Sequence, residues 1–283
     1  MVRRPIVLAA LVGLMVATGV AVAFAAFSKQ RRYQTTYGSK VERFKVASQL
    51  LRRRLAGVAV VPPGKTRGRP LLIMLHGRAM PPDGLLSKEL FKALRRLGRR
   101  APIIFFPNGG DHSYYHDRRD GSWGGYLLGE AIPAAIARFH ADPRRLAIGG
   151  VSMGGFGALD LARIAPGRFC AVGAHSAALW EHAMETAPGA FDNAADFGRH
   201  DLFAYVGSNR RPYGRTPVWL DVGTHDPFWR VDNRLAQLLR RRGARAQFHV
   251  WDGSHSTRYW DAHMPSYLQF YALELARCST GSQ

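Results

Sequence analysis

The chain has 283 residues, 47% of them hydrophobic and 11% aromatic, enough for one large domain with a sizeable core and too apolar for a globally disordered chain. Its formal net charge is +20. With only Cys170 and Cys278, it has no disulfide framework and no cysteine-built structural zinc site. The two thiols are read as isolated and buried or inert, with a single bridge between them as the alternative.

The first segment is Ile6–Phe27, 22 residues without a charge, preceded by Arg3 and Arg4. At 1.5 Å per residue a helix of that length crosses the roughly 30 Å hydrocarbon core of a bilayer. The run ends in small residues, Ala21-Val22-Ala23 or Ala23-Phe24-Ala25, that suit signal-peptidase cleavage. A retained anchor is favoured, because a cleaved signal has a shorter apolar stretch of about 7–15 residues. Residues 28–69 then carry twelve Lys/Arg against the single acid Glu42, whereas the rest of the chain from Pro70 has 26 against 19. Such a basic stretch behind an apolar segment points to an anionic membrane surface. Nucleic acid is not expected, since no nucleic-acid module accompanies the charge. The resulting division is 1–27 as signal or anchor, 28–40 as a basic linker and 41–283 as the folded domain.

Within the domain, Val41–Ala47 and Leu55–Val61 read as strands, and Leu71–Leu75 is a continuous apolar run typical of a strand buried on both faces. Leu86, Leu90, Leu94 and Leu97 recur at helical spacing over Leu85–Leu97. Ile103–Phe106 is the next buried strand, closed by Pro107-Asn108-Gly109-Gly110, and Leu127–Phe139 the next helix. Strands at Leu146–Gly149, Ala171–Ala174, Val218–Val222 and Gln247–Trp251 alternate with helices at Phe156–Ile164, Arg230–Arg242 and within Tyr267–Arg277. That alternation predicts an α/β fold with a doubly wound, mostly parallel sheet. Ala177–Arg215 breaks the rhythm and reads as an insertion over one end of the sheet, near the site. Its aromatics (Trp180, Phe191, Phe197, Phe203, Tyr205, Tyr213) either line an acyl pocket or pack the insertion onto the body.

The strongest chemical signal is Gly149-Gly150-Val151-Ser152-Met153-Gly154-Gly155, a G-x-S-x-G between a strand and a helix. Serine on so tight a turn needs neighbours without Cβ bulk, and the turn lifts its hydroxyl above the sheet. It leaves the Met153 amide at a helix N-terminus, where it can stabilise an oxyanion. A serine hydroxyl is a weak nucleophile and needs a histidine base oriented by a carboxylate. Asp226, on the loop after Val218–Val222, is the expected acid, with Asp221 and Asp252 as rivals. His255, on the loop after Gln247–Trp251, is the expected base. A second oxyanion donor is expected from His76-Gly77-Arg78, at the Arg78 amide, with His76 bridging loops. Asp111–Arg119, with His112, Tyr114, Tyr115 and His116, is placed near the site rim. No clean metal-ligand spacing is found there.

The segments Leu75-His76-Gly77, Phe106–Gly110, Gly149–Leu159, Asp221–Phe228 and Gly253–Trp260 together resemble the putative-esterase family of α/β-hydrolases. That family includes esterase D-type S-formylglutathione hydrolases, feruloyl and acetyl esterases, and the mycolyltransferases of actinobacterial envelopes. The resemblance spans Leu71 to Tyr271 and departs at Ser254, where the family more often has glycine. It implies an α/β-hydrolase fold, the triad Ser152, Asp226 and His255, an oxyanion hole of the Arg78 and Met153 amides, and no cofactor. The activity it implies is acyl-ester cleavage, with acyl transfer to envelope lipids as one alternative and a non-catalytic envelope binding protein as another. Together with the N-terminal segment it implies a membrane-anchored or exported protein.

Overall fold

The computed structural model describes residues 35–278. The apolar run Ile6–Phe27 and most of the basic linker therefore lie outside the described residues. Among the described residues no helix is long and apolar enough to cross a membrane.

Among the described residues, ten strands run in chain order: β1 (Lys40–Ser48), β2 (Arg53–Val61), β3 (Leu71–Leu75), β4 (Ile103–Pro107), the short β5 (Asp117–Arg118) and β6 (Gly121–Ser122), then β7 (Leu146–Val151), β8 (Ala171–His175), β9 (Val218–Gly223) and β10 (Ala246–Trp251). Eight of them form one sheet in the order β1-β2-β4-β3-β7-β8-β9-β10. β1 pairs with β2, and β2 with β4, antiparallel; the remaining neighbours are parallel. The predicted mostly parallel, doubly wound sheet is what the chain forms. β5 and β6 make a separate two-residue hairpin, too short to leave a period-two signature in sequence.

The central strands are apolar throughout because both faces are covered. In β3, Leu71, Ile73 and Leu75 join one core cluster while Leu72 and Met74 join the other, as side chains alternating across a pleat must. Helices Lys88–Leu97 and Thr257–Arg277 cover one face; Ile132–Phe139, Met153–Ile164 and Trp229–Arg241 cover the other. The last helix begins at Thr257, ten residues before the expected Tyr267, with Ser256 accepting the Tyr259 amide as its N-cap. It continues through Pro265, a residue that normally breaks a helix interior.

The insertion begins at the site end of the sheet, as expected, and then runs the length of the sheet. Ala177–Arg215 is the crossover between parallel neighbours β8 and β9, so it must carry the chain from the C-terminal end of one to the N-terminal end of the other. Two short helices, Ala194–Arg199 and Leu202–Ser208, occur along this path, and Tyr213 Oη donates to Leu159 O at 3.2 Å on the flanking helix. Only its first part stays beside the C-terminal ends of the strands.

Cys170 and Cys278 are joined, correcting the reading of two isolated thiols. Cys170 directly precedes β8, and Cys278 ends the last helix, which runs antiparallel to the strands and returns to that end of the sheet. Their Cα atoms are 5.7 Å apart across 108 residues of sequence, a proximity that only the topology reveals. Cross-linking a loop of that length restricts the unfolded chain strongly. A Cys170→Ser, Cys278→Ser variant is expected to lose roughly 2–5 kcal/mol of stability. Denaturant unfolding with and without reductant checks this, the wild type moving to the variant's midpoint on reduction.

Candidate active site

The site is assembled at the C-terminal ends of the parallel strands. β7 ends at Val151, and Ser152 follows with φ 55° and ψ −118°, a left-handed backbone that costs a non-glycine residue energy. The turn is forced by close packing. A Cβ on Gly150 would lie 2.4 Å from the Gly154 carbonyl, and one on Gly154 would lie 2.3 Å from Leu75 O. The strained serine is tied down by its backbone: its amide donates to His175 O at 3.0 Å, and its carbonyl accepts from Ala178 N at 3.0 Å.

Asp226 and His255 come from the loops after β9 and β10. The Ser152 hydroxyl lies 2.8 Å from His255 Nε2, and His255 Nδ1 lies 2.9 Å from Asp226 Oδ2. The other oxygen, Asp226 Oδ1, accepts the Phe228 amide at 2.9 Å, which orients the carboxylate. The Asp226 side chain is fully covered, and that of His255 is 24% exposed. The His255 ring is packed between Phe228 at 5.3 Å and Trp260 at 5.2 Å. Behind it Asp232 is fully buried, and burial, reinforced by the Asp226 carboxylate, pushes its carboxyl well above the ordinary range. Asp232 Oδ2 accepts the Ala177 amide at 3.1 Å.

Neither rival acid approaches His255. Asp252 is exposed and faces Thr224 and His225. Asp221 is fully buried and holds a different histidine: Oδ1 accepts from His175 Nδ1 at 2.6 Å and Trp219 Nε1 at 2.7 Å, while Oδ2 accepts the hydroxyls of Tyr267 at 2.7 Å and Tyr259 at 3.0 Å. The Tyr271 hydroxyl lies 2.9 Å from His175 Nε2. This second Asp–His pair has no solvent-exposed surface, so no substrate can reach it. The sequence reading missed it. The signal was available in the alternation of β9, where a buried strand carries one carboxylate among apolar residues and that carboxylate must find donors inside.

The His76-Gly77-Arg78 loop passes beside the serine; a Cβ on Gly77 would sit 3.5 Å from Ser152 Cβ. His76 does bridge loops. Its Nε2 accepts the Gly109 amide at 2.9 Å, which places the proton on Nδ1, where it donates to Gly77 O at 2.9 Å. Burial lowers its pKa and keeps the ring neutral for that role. Tyr115 Oη donates to His76 O at 3.0 Å and lies over Gly109, where a Cβ would clash at 2.1 Å.

The insertion's aromatics pack rather than stand open. Phe191 meets Tyr114, Phe156, Phe197 and Trp180 at ring separations between 5.3 and 6.1 Å. Trp180 alone extends toward the site, 6.0 Å from Phe228. Beneath this cluster His116, Asp196 and His200 come together, the one grouping among the described residues with metal-ligand proximity. Its carboxylate and that of the neighbouring Asp160 are already engaged. Asp196 accepts from His116, the Asp192 amide and Arg199, and Asp160 takes Arg163 and His200. Two guanidinium groups beside two carboxylates supply the positive charge a cation would bring, so the cluster is a clamp between insertion and body.

Residues 48–271 match the model of the family described as putative esterase, and the chain belongs to that family. A ferulic acid esterase structure is 25% identical over 84% of this chain and 98% of its own, with a TM-score of 0.73. An S-formylglutathione hydrolase from Agrobacterium tumefaciens is 20% identical over 86% and 98%, with a TM-score of 0.71. Mycobacterium tuberculosis MPT51 is 16% identical over 83% and 99%, with a TM-score of 0.65. No curated protein matches the chain significantly. Family and neighbours make it an ester hydrolase of the serine carboxylesterase type with an α/β-hydrolase fold.

The His116 clamp carries a pH dependence. Burial, with His200 beside it, lowers the His116 pKa from the ordinary 6.5. Below that value the unfolded chain takes up a proton that the folded site resists, so stability is full at higher pH and falls as pH drops through this range. Amide protection in 177–215, corrected for intrinsic exchange, should decline between about pH 7 and pH 5 while β3 and β7 keep theirs.

Proposed function

Starting from that membership, we propose that the protein cleaves acyl esters through a covalent intermediate on Ser152, with His255 as general base and Asp226 as its orienter. The observation that supports this most directly is the unbroken row of hydrogen bonds from Asp226 through His255 to Ser152. Ser152 Oγ attacks the ester carbonyl carbon as its proton passes to His255 Nε2, and the carbonyl π electrons move onto oxygen. The Met153 amide, at the start of its helix, and the Arg78 amide, on the loop beside Ser152, are the donors for that oxyanion. Collapse breaks the bond to the alcohol, which leaves with the proton from His255. Water then repeats the sequence on the acyl-enzyme and releases the acid. No cofactor enters this chemistry.

Acyl transfer is the same path with an acceptor hydroxyl replacing water in the second half. A non-catalytic envelope binding role would leave no reason to hold Ser152 strained against a histidine. The Cys170–Cys278 bridge suits an oxidising compartment, in keeping with export or display outside the cytoplasm. The run Ile6–Phe27 is the proposed membrane anchor or export signal.

Ser152→Ala should fold normally and lose p-nitrophenyl ester hydrolysis by roughly 10⁴–10⁶-fold, as should His255→Ala, since the two act as a unit. Asp226→Asn should cost about 10⁴-fold in kcat by holding the wrong tautomer. Asp221→Asn should instead lower Tm and leave kcat of the folded enzyme within about tenfold of wild type, because that carboxylate supports the core. Steady-state kinetics alongside thermal melts distinguish these cases. Near-normal turnover by Ser152→Ala, or a crippled Asp221→Asn beside a healthy Asp226→Asn, would overturn the assignment.

A further inference from the structure

The topology sorts the molecule's charge into two opposite ends. Six loops, 62–70, 98–102, 140–145, 165–170, 209–217 and 242–245, lead into β3, β4, β7, β8, β9 and β10 at the N-terminal end of the parallel strands. Together they carry thirteen arginines and lysines and one acid, Asp142. That acid is already shared by Arg145 at 2.9 Å and Arg144 at 3.6 Å. The loops leaving β3, β4, β8, β9 and β10 (76–87, 108–122, 176–193, 224–228 and 252–256) lie at the Ser152 end and carry nine acids and three arginines, to which the β1–β2 turn adds Arg52. Strands of five or six residues separate the two ends by about 17–20 Å. Arg99, Arg100, Arg144, Arg215 and Arg245 are all exposed.

Two further features belong to the basic end. A cavity of about 710 Å³ opens there, next to the Cys170–Cys278 bridge. Arg210, Arg211 and Arg215 line it together with Phe169, Pro212 and Pro217, a combination that suits a molecule with an anionic head and an apolar body. The chain also enters the domain at this end. Lys40 pairs with Val61, and a Cβ on Gly38 would touch Pro63, so residues 38–40 lie against the start of the loop that leads into β3. Seven residues separate Thr35 from Phe27, the end of the charge-free run, a reach of about 25 Å when fully extended. If that run is inserted in a bilayer, the basic end cannot stand far from the headgroups.

We infer that the N-terminal end of the sheet is a docking surface for anionic phospholipid, which holds the Ser152 site on the far side of the domain, facing away from the bilayer. Charge complementarity and the entry point of the chain select lipid over other polyanions. An enzyme seated this way receives its ester from the aqueous side, not from the leaflet it rests on.

Hydrogen exchange on the full-length protein in nanodiscs tests this without relying on the esterase reading. Phosphatidylcholine discs with and without phosphatidylglycerol are the two surfaces. Exchange in 98–102, 165–170 and 209–217 is expected to slow by roughly tenfold on the anionic discs, and the effect to vanish near 0.5 M salt. Loops 108–122 and 224–228 are expected to remain unchanged. An Arg99→Gln, Arg100→Gln, Arg215→Gln, Arg245→Gln variant should lose the lipid-dependent protection and keep wild-type hydrolysis of p-nitrophenyl acetate. Should that variant misfold, the salt and lipid series on the wild type still decides. Equal exchange on both discs, protection of the acidic end, or stronger protection of the same loops by duplex DNA than by anionic discs would overturn the inference.

Discussion

A serine held at φ 55° is the constraint on which the rest of this molecule depends. The conformation is disfavoured by itself, so the surrounding packing must impose it. Two requirements follow directly. Gly150 and Gly154 have no room for a Cβ, and β3 must come close enough for Leu75 O to fill the space beside Gly154. The hydroxyl then emerges above the sheet, where loops from β9 and β10 can bring an acid and a base to it. Had the turn relaxed, neither 2.8 Å to His255 nor the proximity of Gly77 would survive.

What keeps the turn from relaxing lies underneath. The Ser152 amide hydrogen-bonds to the carbonyl of His175, and the His175 ring is fixed by Asp221 below and Tyr271 beside it. Asp221 in turn gathers Tyr259 and Tyr267 from the last helix. That helix begins two residues after His255, so the loop carrying His255 and the strand leading into Ser152 share one buried anchor. Gly149 and Gly173 belong to it as well. A Cβ on either would overlap the Tyr271 hydroxyl, at 1.7 and 1.8 Å. Burying a carboxylate is expensive unless its oxygens are fully used, and here four donors use them. The arrangement resembles a triad in composition, but exclusion from solvent confines it to structural work.

Most of the architecture could be read from residue patterns because the chemistry at each position was local. Three buried strands, β3, β4 and β7, announce themselves as apolar runs, and the candidate nucleophile as a glycine-framed serine between a strand and a helix. His255 followed from its place after the last strand. The features that escaped depend on distant partners. Cys170 and Cys278 are 108 residues apart, and nothing near either one predicts the other. His116 gives no sign of Asp196 and His200, eighty or more positions further on. The last helix was read too short because Pro265 interrupts the pattern, although Ser256 offered a cap before it. For the insertion, composition could not reveal the direction of travel. That came from the parallel pairing of β8 with β9, which obliges the chain to return the length of the sheet.

The distribution of charge is the clearest case of a property that is present in the sequence and invisible to summation along it. Counting by segment, the chain is most basic over 28–69 and only mildly so afterwards, because each later stretch mixes arginines with acids. In a parallel α/β fold, however, successive connections alternate between the two ends of the sheet. Arginines placed just before strands and acids placed just after them cancel in any running average, yet they fall predominantly at opposite ends in space. The domain therefore carries a field along its strand axis that the net charge alone does not reveal. Such a field acts before contact. Toward any anionic surface it orients the domain basic end first, and it does so over about a Debye length at physiological salt. The N-terminal chain enters from the same end, so a tether there and the field would turn the domain the same way. Orientation would then follow from two independent causes, one covalent and one electrostatic, neither requiring a contact from the residues around Ser152.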